Sequence, residues 1–141
     1  MISAEEFVER LCRLGADRGP RGFPRRRRDR EILMKSIRLL LDADRSYRES
    51  EINALLRGWL RDVAPAVDVD HVTLRRLLVD HGQLERTPDG RSYRMGFPPS
   101  PMAFDLDVDD VDVRATVAAY RELVRERARR RRSARPRGES R

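Results

Sequence analysis

Lysine is almost missing from this chain: of 31 basic residues, every one except Lys35 is arginine. Cysteine occurs once, at Cys12, which excludes an internal disulfide framework, and histidine twice, at His71 and His81. One thiol and two imidazoles ten residues apart in sequence supply neither a cysteine-rich zinc site nor the i, i+4 pair of a helical metal motif, so no metal and no other cofactor is expected. No apolar run approaches the roughly 18 residues of a membrane span, so no membrane partner is expected. The opening MISAEEFVERL has an acidic head where a signal peptide has a basic region followed by a long apolar one. Together these absences predict a cytoplasmic protein.

What is present is charge, unevenly distributed over 141 residues with a net value of +7. Residues 1–30 carry nine arginines against five acids, and residues 31–94 carry eleven basic against eleven acidic side chains. Residues 95–120 hold five aspartates (Asp105, Asp107, Asp109, Asp110 and Asp112) against Arg114, and residues 121–141 carry ten arginines against three glutamates. A neutral body therefore lies between basic ends, with an acidic stretch before the second. Arginine presents a planar, always-charged donor fork suited to phosphate, so Arg25, Arg26, Arg27 and Arg28, and again Arg129 to Arg132, read as nucleic-acid arms. The alternative reading is a GC-rich coding bias with a disordered, solvated end after a helix whose negative terminus the arginines complement.

Along the chain, Ser3 and Glu6 fit a capping box, followed by Phe7, Val8, Leu11, Cys12 and Leu14 at near-helical spacing until Gly15. This predicts an amphipathic helix over 1–15, and ADRGPRG over 16–22 predicts a linker. From Asp29 to Ala43 the positions Leu33, Ile37, Leu40 and Leu41 predict a second helix, ended by Asp42–Ser46, and Ile52, Leu55, Leu56 and Trp59 a third, from about Glu49 to Asp62. After VAPAVDV, Asp68 or Asp70 caps a helix whose core face is Leu74, Leu77, Leu78 and His81, with Gly82 as its stop. Leu84–Thr87 and Arg91–Arg94 around Pro88, Asp89 and Gly90 predict a hairpin. Three helices and a hairpin over 23–94 define the expected fold: α+β, mainly helical, with a winged helix-turn-helix-like core flanked by N- and C-terminal helices. Residues 95–112 predict a proline-rich and acidic strap, 113–132 a helix with Val113, Val117, Tyr120 and Val124 on one stripe, and 133–141 a disordered arginine-rich tail. That stripe either folds back onto the core or pairs with its copy in a homodimer.

Four motifs, FPRRRRDR at Phe23–Arg30, YRESEIN at Tyr47–Asn53, HVTLRRLLVDHG at His71–Gly82 and LERTPDGRSYR at Leu84–Arg94, resemble the bacterial family known as domain of unknown function 2087. The resemblance covers about half the chain. Members occur alone or joined to winged helix-turn-helix domains of the arsenic-repressor type, so it implies a bacterial cytoplasmic protein connected with transcriptional regulation. Two departures are Arg48, where the family has a small hydroxyl residue, and Gln83, where it has an apolar one. VAPAVDV is also longer than a tight helix-turn-helix turn.

In the winged-helix reading the helix over 71–80 enters a major groove, and Thr73, Arg75, Arg76 and Asp80 lie off its core face toward bases or phosphates. Arg75 and Arg76 lead, although Arg76 and Asp80 are also spaced to pair across one turn. Arg86, Arg91 and Arg94 on the hairpin follow the backbone as a wing does, while Arg25–Arg28 sit in an adjacent groove. Trp59, Tyr47 and Tyr93 offer stacking platforms for single-stranded RNA, but Trp59 falls on an apolar face and the two tyrosines fit side by side in a small sheet. Glu49, Glu51 and Asn53 fit a cation or water site, or a helix start and a loop anchor. The expectation is a DNA-binding transcriptional regulator without enzymatic activity. The alternatives are a protein-interaction module, whose acidic segment covers a basic surface, and an RNA-binding protein.

Overall fold

A computed structural model describes residues 1–17 and 19–134. The expected arginine-rich tail, apart from Ser133 and Ala134, and Arg18 of the expected linker lie outside the described residues. The elements are α1 (Ala4–Cys12), a π-helical turn (Arg13–Asp17), α2 (Arg27–Arg38), β1 (Tyr47–Arg48), α3 (Glu49–Asp62), α4 (His71–Asp80), β2 (Leu84–Arg86), β3 (Ser92–Met95), a 3₁₀ turn (Leu106–Asp110) and α5 (Val113–Ser133). The fold is thus α+β and mainly helical, with one antiparallel sheet in the order β1–β3–β2.

Helix starts follow their caps. Ser3 Oγ accepts from Glu6 N–H at 3.1 Å, while the Glu6 carboxylate turns away from the box to receive the Arg28 guanidinium. Asp70 Oδ1 accepts from Thr73 N–H at 2.7 Å, and Asp112 Oδ1 from Ala115 N–H at 3.1 Å. Arg48 has no acceptor to offer at the start of α3, so only the reverse half of a box forms there, from Arg48 N–H to Glu51 Oε1 at 3.0 Å. That backbone bond, the Arg48 side chain and nearby Arg45 hold the Glu51 carboxyl below the usual range.

One apolar core joins Ile2, Phe7, Leu11 and Cys12 to Ile32, Leu33, Ile37, Ile52, Leu56, Trp59, Leu74, Leu78, Val108, Val113 and Val117. Trp59 is fully buried, and its indole N–H donates to Ser36 Oγ at 2.8 Å, which settles it as core. The strap lies on the body: Ile2 N–H donates to Ala103 O at 3.0 Å and Asp105 N–H to Ile2 O at 2.8 Å. Tyr47 and Tyr93 are register partners across β1 and β3, as the pattern suggested, and both are buried.

Three expectations are corrected. Helix α2 ends at Arg38, not Ala43, because Leu40 and Leu41 close tighter i, i+3 turns and Asp42 N–H is taken by the Tyr47 hydroxyl at 2.8 Å. Gly15 does not stop α1; it lies within the π turn, where a Cβ would stand 2.7 Å from Val63 O and its own carbonyl accepts from Ala66 N–H. His81 is the half-exposed C-cap of α4 and not a core residue; Gly82 beyond it takes φ +74°.

Candidate nucleic-acid interface

Helix α4 turns Leu74 and Leu78 into the core, which leaves Thr73, Arg76, Val79 and Asp80 exposed on the opposite side. Arg76 makes no ion pair or hydrogen bond among the described residues, so the i, i+4 pairing with Asp80 does not form. Arg75, one residue earlier, is consumed by the fold. Its guanidinium donates to Asn53 Oδ1, lies 3.2 Å from Glu49 and stands 5.7 Å from the centre of the Tyr93 ring, with its side chain 15% exposed. This corrects its assignment as a leading reader, and it gives Glu49 and Asn53 their use: they dock α4 onto α3. Asp70, whose carboxyl is held below its ordinary range first by the Thr73 N–H, stands exposed with Asp68 at the entry to α4.

The hairpin projects beside α4. Leu84, Glu85 and Arg86 face Met95, Arg94 and Tyr93 in register, and Gly90 supplies φ +73° in the turn. Asp89 braces that turn by accepting from the Thr87 hydroxyl and from Arg91 N–H, which hold its carboxyl below its usual range. Of the three hairpin arginines, Arg94 is paired with its cross-strand neighbour Glu85 at 3.1 Å, and Arg86 donates to Gly90 O at 3.1 Å while lying over Tyr93. The Arg91 side chain is exposed and unpaired among the described residues.

Arg25–Arg28 do not form a free arm, because distant segments engage two of them. Arg27 and Arg28 are the first turn of α2, where Arg28 grips Glu6 of α1 and Arg27 donates to Ser100 O of the strap at 2.9 Å. Arg25 and Arg26 precede the helix, both exposed and without an acidic partner among the described residues. Arg26 opens onto a cleft of about 310 Å³ shared with Arg10, Arg13, Leu14, Arg21 and Asp29. Sequence reasoning missed Arg21 there because a glycine- and proline-rich connection carries no periodicity from which its position could be read, and missed Arg10 and Arg13 because helical spacing marks the apolar face of α1 and not what its polar side approaches.

In the acidic stretch Asp109 accepts from Lys35 of α2 at 2.7 Å and Asp112 caps α5, and none of its five aspartates forms an ion pair with an arginine among the described residues. No group of three or more metal-binding side chains occurs among the described residues, and no described helix is long and apolar enough to cross a membrane.

The family model described as "uncharacterized protein conserved in bacteria (DUF2087)" matches residues 21–95, more than half of the chain. The chain belongs to that family. Neither a curated protein nor a solved structure matches it.

Proposed function

We propose that this chain is a winged-helix-like, cytoplasmic regulator of transcription that binds duplex DNA through the outward side of α4 and the β2–β3 hairpin. The observation that carries the reading is the unpaired Arg76, beside Thr73, on the solvent side of a helix held firmly from behind by Arg75, with Arg91 exposed on the adjoining hairpin. The element order α2–β1–α3–α4–β2–β3 and the sheet order β1–β3–β2 follow the winged-helix pattern and support the same assignment. The regulatory role is what the family resemblance implies. Asp70 and Asp80 at the two ends of α4 confine favourable contact with DNA to its middle, where Arg76 stands.

The test is binding of the full chain to a labelled duplex over a salt series. Arg76→Ala is expected to weaken binding by about tenfold or more, and Arg91→Ala to lower the salt slope by about one unit. Unchanged binding when Arg76→Ala and Arg91→Ala are combined overturns the reading, and stronger binding to duplex or single-stranded RNA than to duplex DNA replaces DNA with RNA.

A second reading concerns assembly. Leu123 and Val124 are 45% and 39% exposed on the half of α5 that leaves the core, and Val124 lines a groove of about 620 Å³ bordered by Val8 and Cys12. A homodimer through this face predicts a dimer by sedimentation that Leu123→Glu with Val124→Glu converts to monomer; a monomeric native chain overturns it.

A further inference from the structure

We infer that the cleft between α1 and the start of α2 is a phosphate-binding site, formed by Arg10, Arg13, Arg21 and Arg26, which anchors a nucleic-acid strand beside α4. The inference rests on the nucleic-acid reading for the source of its ligand, and on the cleft itself for the site.

Four arginines line the cleft with one acid, Asp29, and they come from three parts of the chain. Each is held by a separate device. Arg10 is paired with Asp29, whose side chain is only 11% exposed, and Arg13 with Glu9 at 3.1 Å. Arg21 is fixed through its backbone, which forms a parallel bridge to Val67: its N–H donates to Ala66 O at 3.0 Å and its carbonyl accepts from Asp68 N–H at 2.7 Å. Arg26 is set at the extended residue preceding α2. Asp29 and Glu9 are thereby engaged by Arg10 and Arg13, while Arg21 and Arg26 are exposed and form no ion pair among the described residues.

Like charges gathered around one cleft repel, and an anion bound between them relieves that repulsion. Planar guanidinium forks match the oxygens of a phosphate in pairs, so the ligand class is a phosphate group. The position ties the cleft to α4. Val67, to which Arg21 is bridged, lies four residues before His71, the first residue of α4. Asp68 and Asp70 repel a phosphate from the tip of α4 itself, so the arginine cleft next to that tip is where the backbone of an approaching strand finds its counter-charge. Helix α1 and the π turn after it, outside the residues shared with the family, thereby acquire a role in binding through Arg10 and Arg13.

The experiment uses the full chain with two probes, a labelled duplex over a salt series and inorganic pyrophosphate by calorimetry. Arg21→Gln with Arg26→Gln changes two exposed side chains and keeps the backbone bridge, and a Trp59 fluorescence melt verifies that the variant is folded. The expected result is duplex affinity about tenfold weaker, with the salt slope reduced by about one unit for each arginine removed. If this variant binds duplex as the native chain does while Arg76→Ala weakens it, the inference is overturned and the nucleic-acid reading stands. If the native chain binds pyrophosphate but not duplex, and the variant binds neither, the phosphate site stands with a free phosphate ester as its ligand and the nucleic-acid reading falls. If the native chain binds neither probe, both fall.

Discussion

Gly96 lies so close to Gly82 that a Cβ on it would stand 2.2 Å from the Gly82 carbonyl oxygen, a backbone clash that no rotamer relieves. Arg38 completes this junction, donating to the carbonyls of Gln83 and Gly96, with burial holding its guanidinium below its ordinary value against the opposing pull of Glu31. Gly90 differs, since open space surrounds it and only its φ of +73° restricts substitution. Gly96→Ala is therefore expected to lower stability by roughly 3 kcal/mol and Gly90→Ala by about 1 kcal/mol, read from urea midpoints at constant slope. Glu51 gives a pH prediction. Its folded carboxyl titrates below the unfolded value of about 4.3, so its contribution is present above that value and is lost as acid takes the pH down through the folded pKa. Glu51→Gln, which keeps an acceptor for Arg48 N–H, should flatten the fall of the denaturation midpoint in that acid window and leave the denaturant slope at neutral pH unaltered. The same residue scale shows where sequence reasoning stopped. Adjacent arginines at 75 and 76 look alike in a linear pattern, and only the arrival of Glu49, Asn53 and Tyr93 from other elements separates the one that braces α4 from the one that faces solvent.

At the scale of elements, α3, α4 and the hairpin were legible because apolar spacing, Asp70 and the Asp89–Gly90 turn all encode the same local answer. Two features were not. The end of α2 depends on a tyrosine hydroxyl from β1, and the π turn depends on the approach of Val63 and Ala66 to Gly15; neither partner of the π turn is near in sequence. Helix α5 was legible as a helix, but its apolar stripe did not reveal how much of it would be used. Val113 and Val117 are buried, whereas Val124 on the same stripe is 39% exposed. The helix thus packs by its first turns against α1 and α3 and carries its arginines clear of the core. Val117→Ala should cost about 2 kcal/mol through lost burial and a residual cavity, while Val124→Ala should fall within about 0.5 kcal/mol of the native chain in thermal or urea unfolding. Equal effects at the two positions would show the distal half of α5 to be covered in solution.

For the whole molecule, the boundary suggested by the motifs and the boundary set by packing differ. The family match ends at residue 95, yet seven of the 22 buried residues of the core cluster (Ile2, Phe7, Leu11, Cys12, Val108, Val113 and Val117) lie outside residues 21–95. The composition shift at 16–22 looks like a linker in sequence and that at 95–112 like a strap, and both segments are tied to the body: Arg21 to Val67, and Ala103 and Asp105 to Ile2. At about 2 kcal/mol for each large apolar side chain buried, the seven outer residues contribute on the order of 10 kcal/mol, as much as the whole net stability of a typical domain. A fragment of residues 23–94 would also be of a size at which a core is marginal even when complete. Its expected behaviour is a broad, non-cooperative melt with Trp59 fluorescing as in denaturant, against a single sigmoidal transition for the full chain. A cooperative melt of the fragment would make α1, the strap and α5 accessory. Loss of the transition would mean that any nucleic-acid contact is presented by a scaffold in which the terminal helices are structural members, so that binding by the fragment reflects its folding before it reflects Arg76 or Arg91.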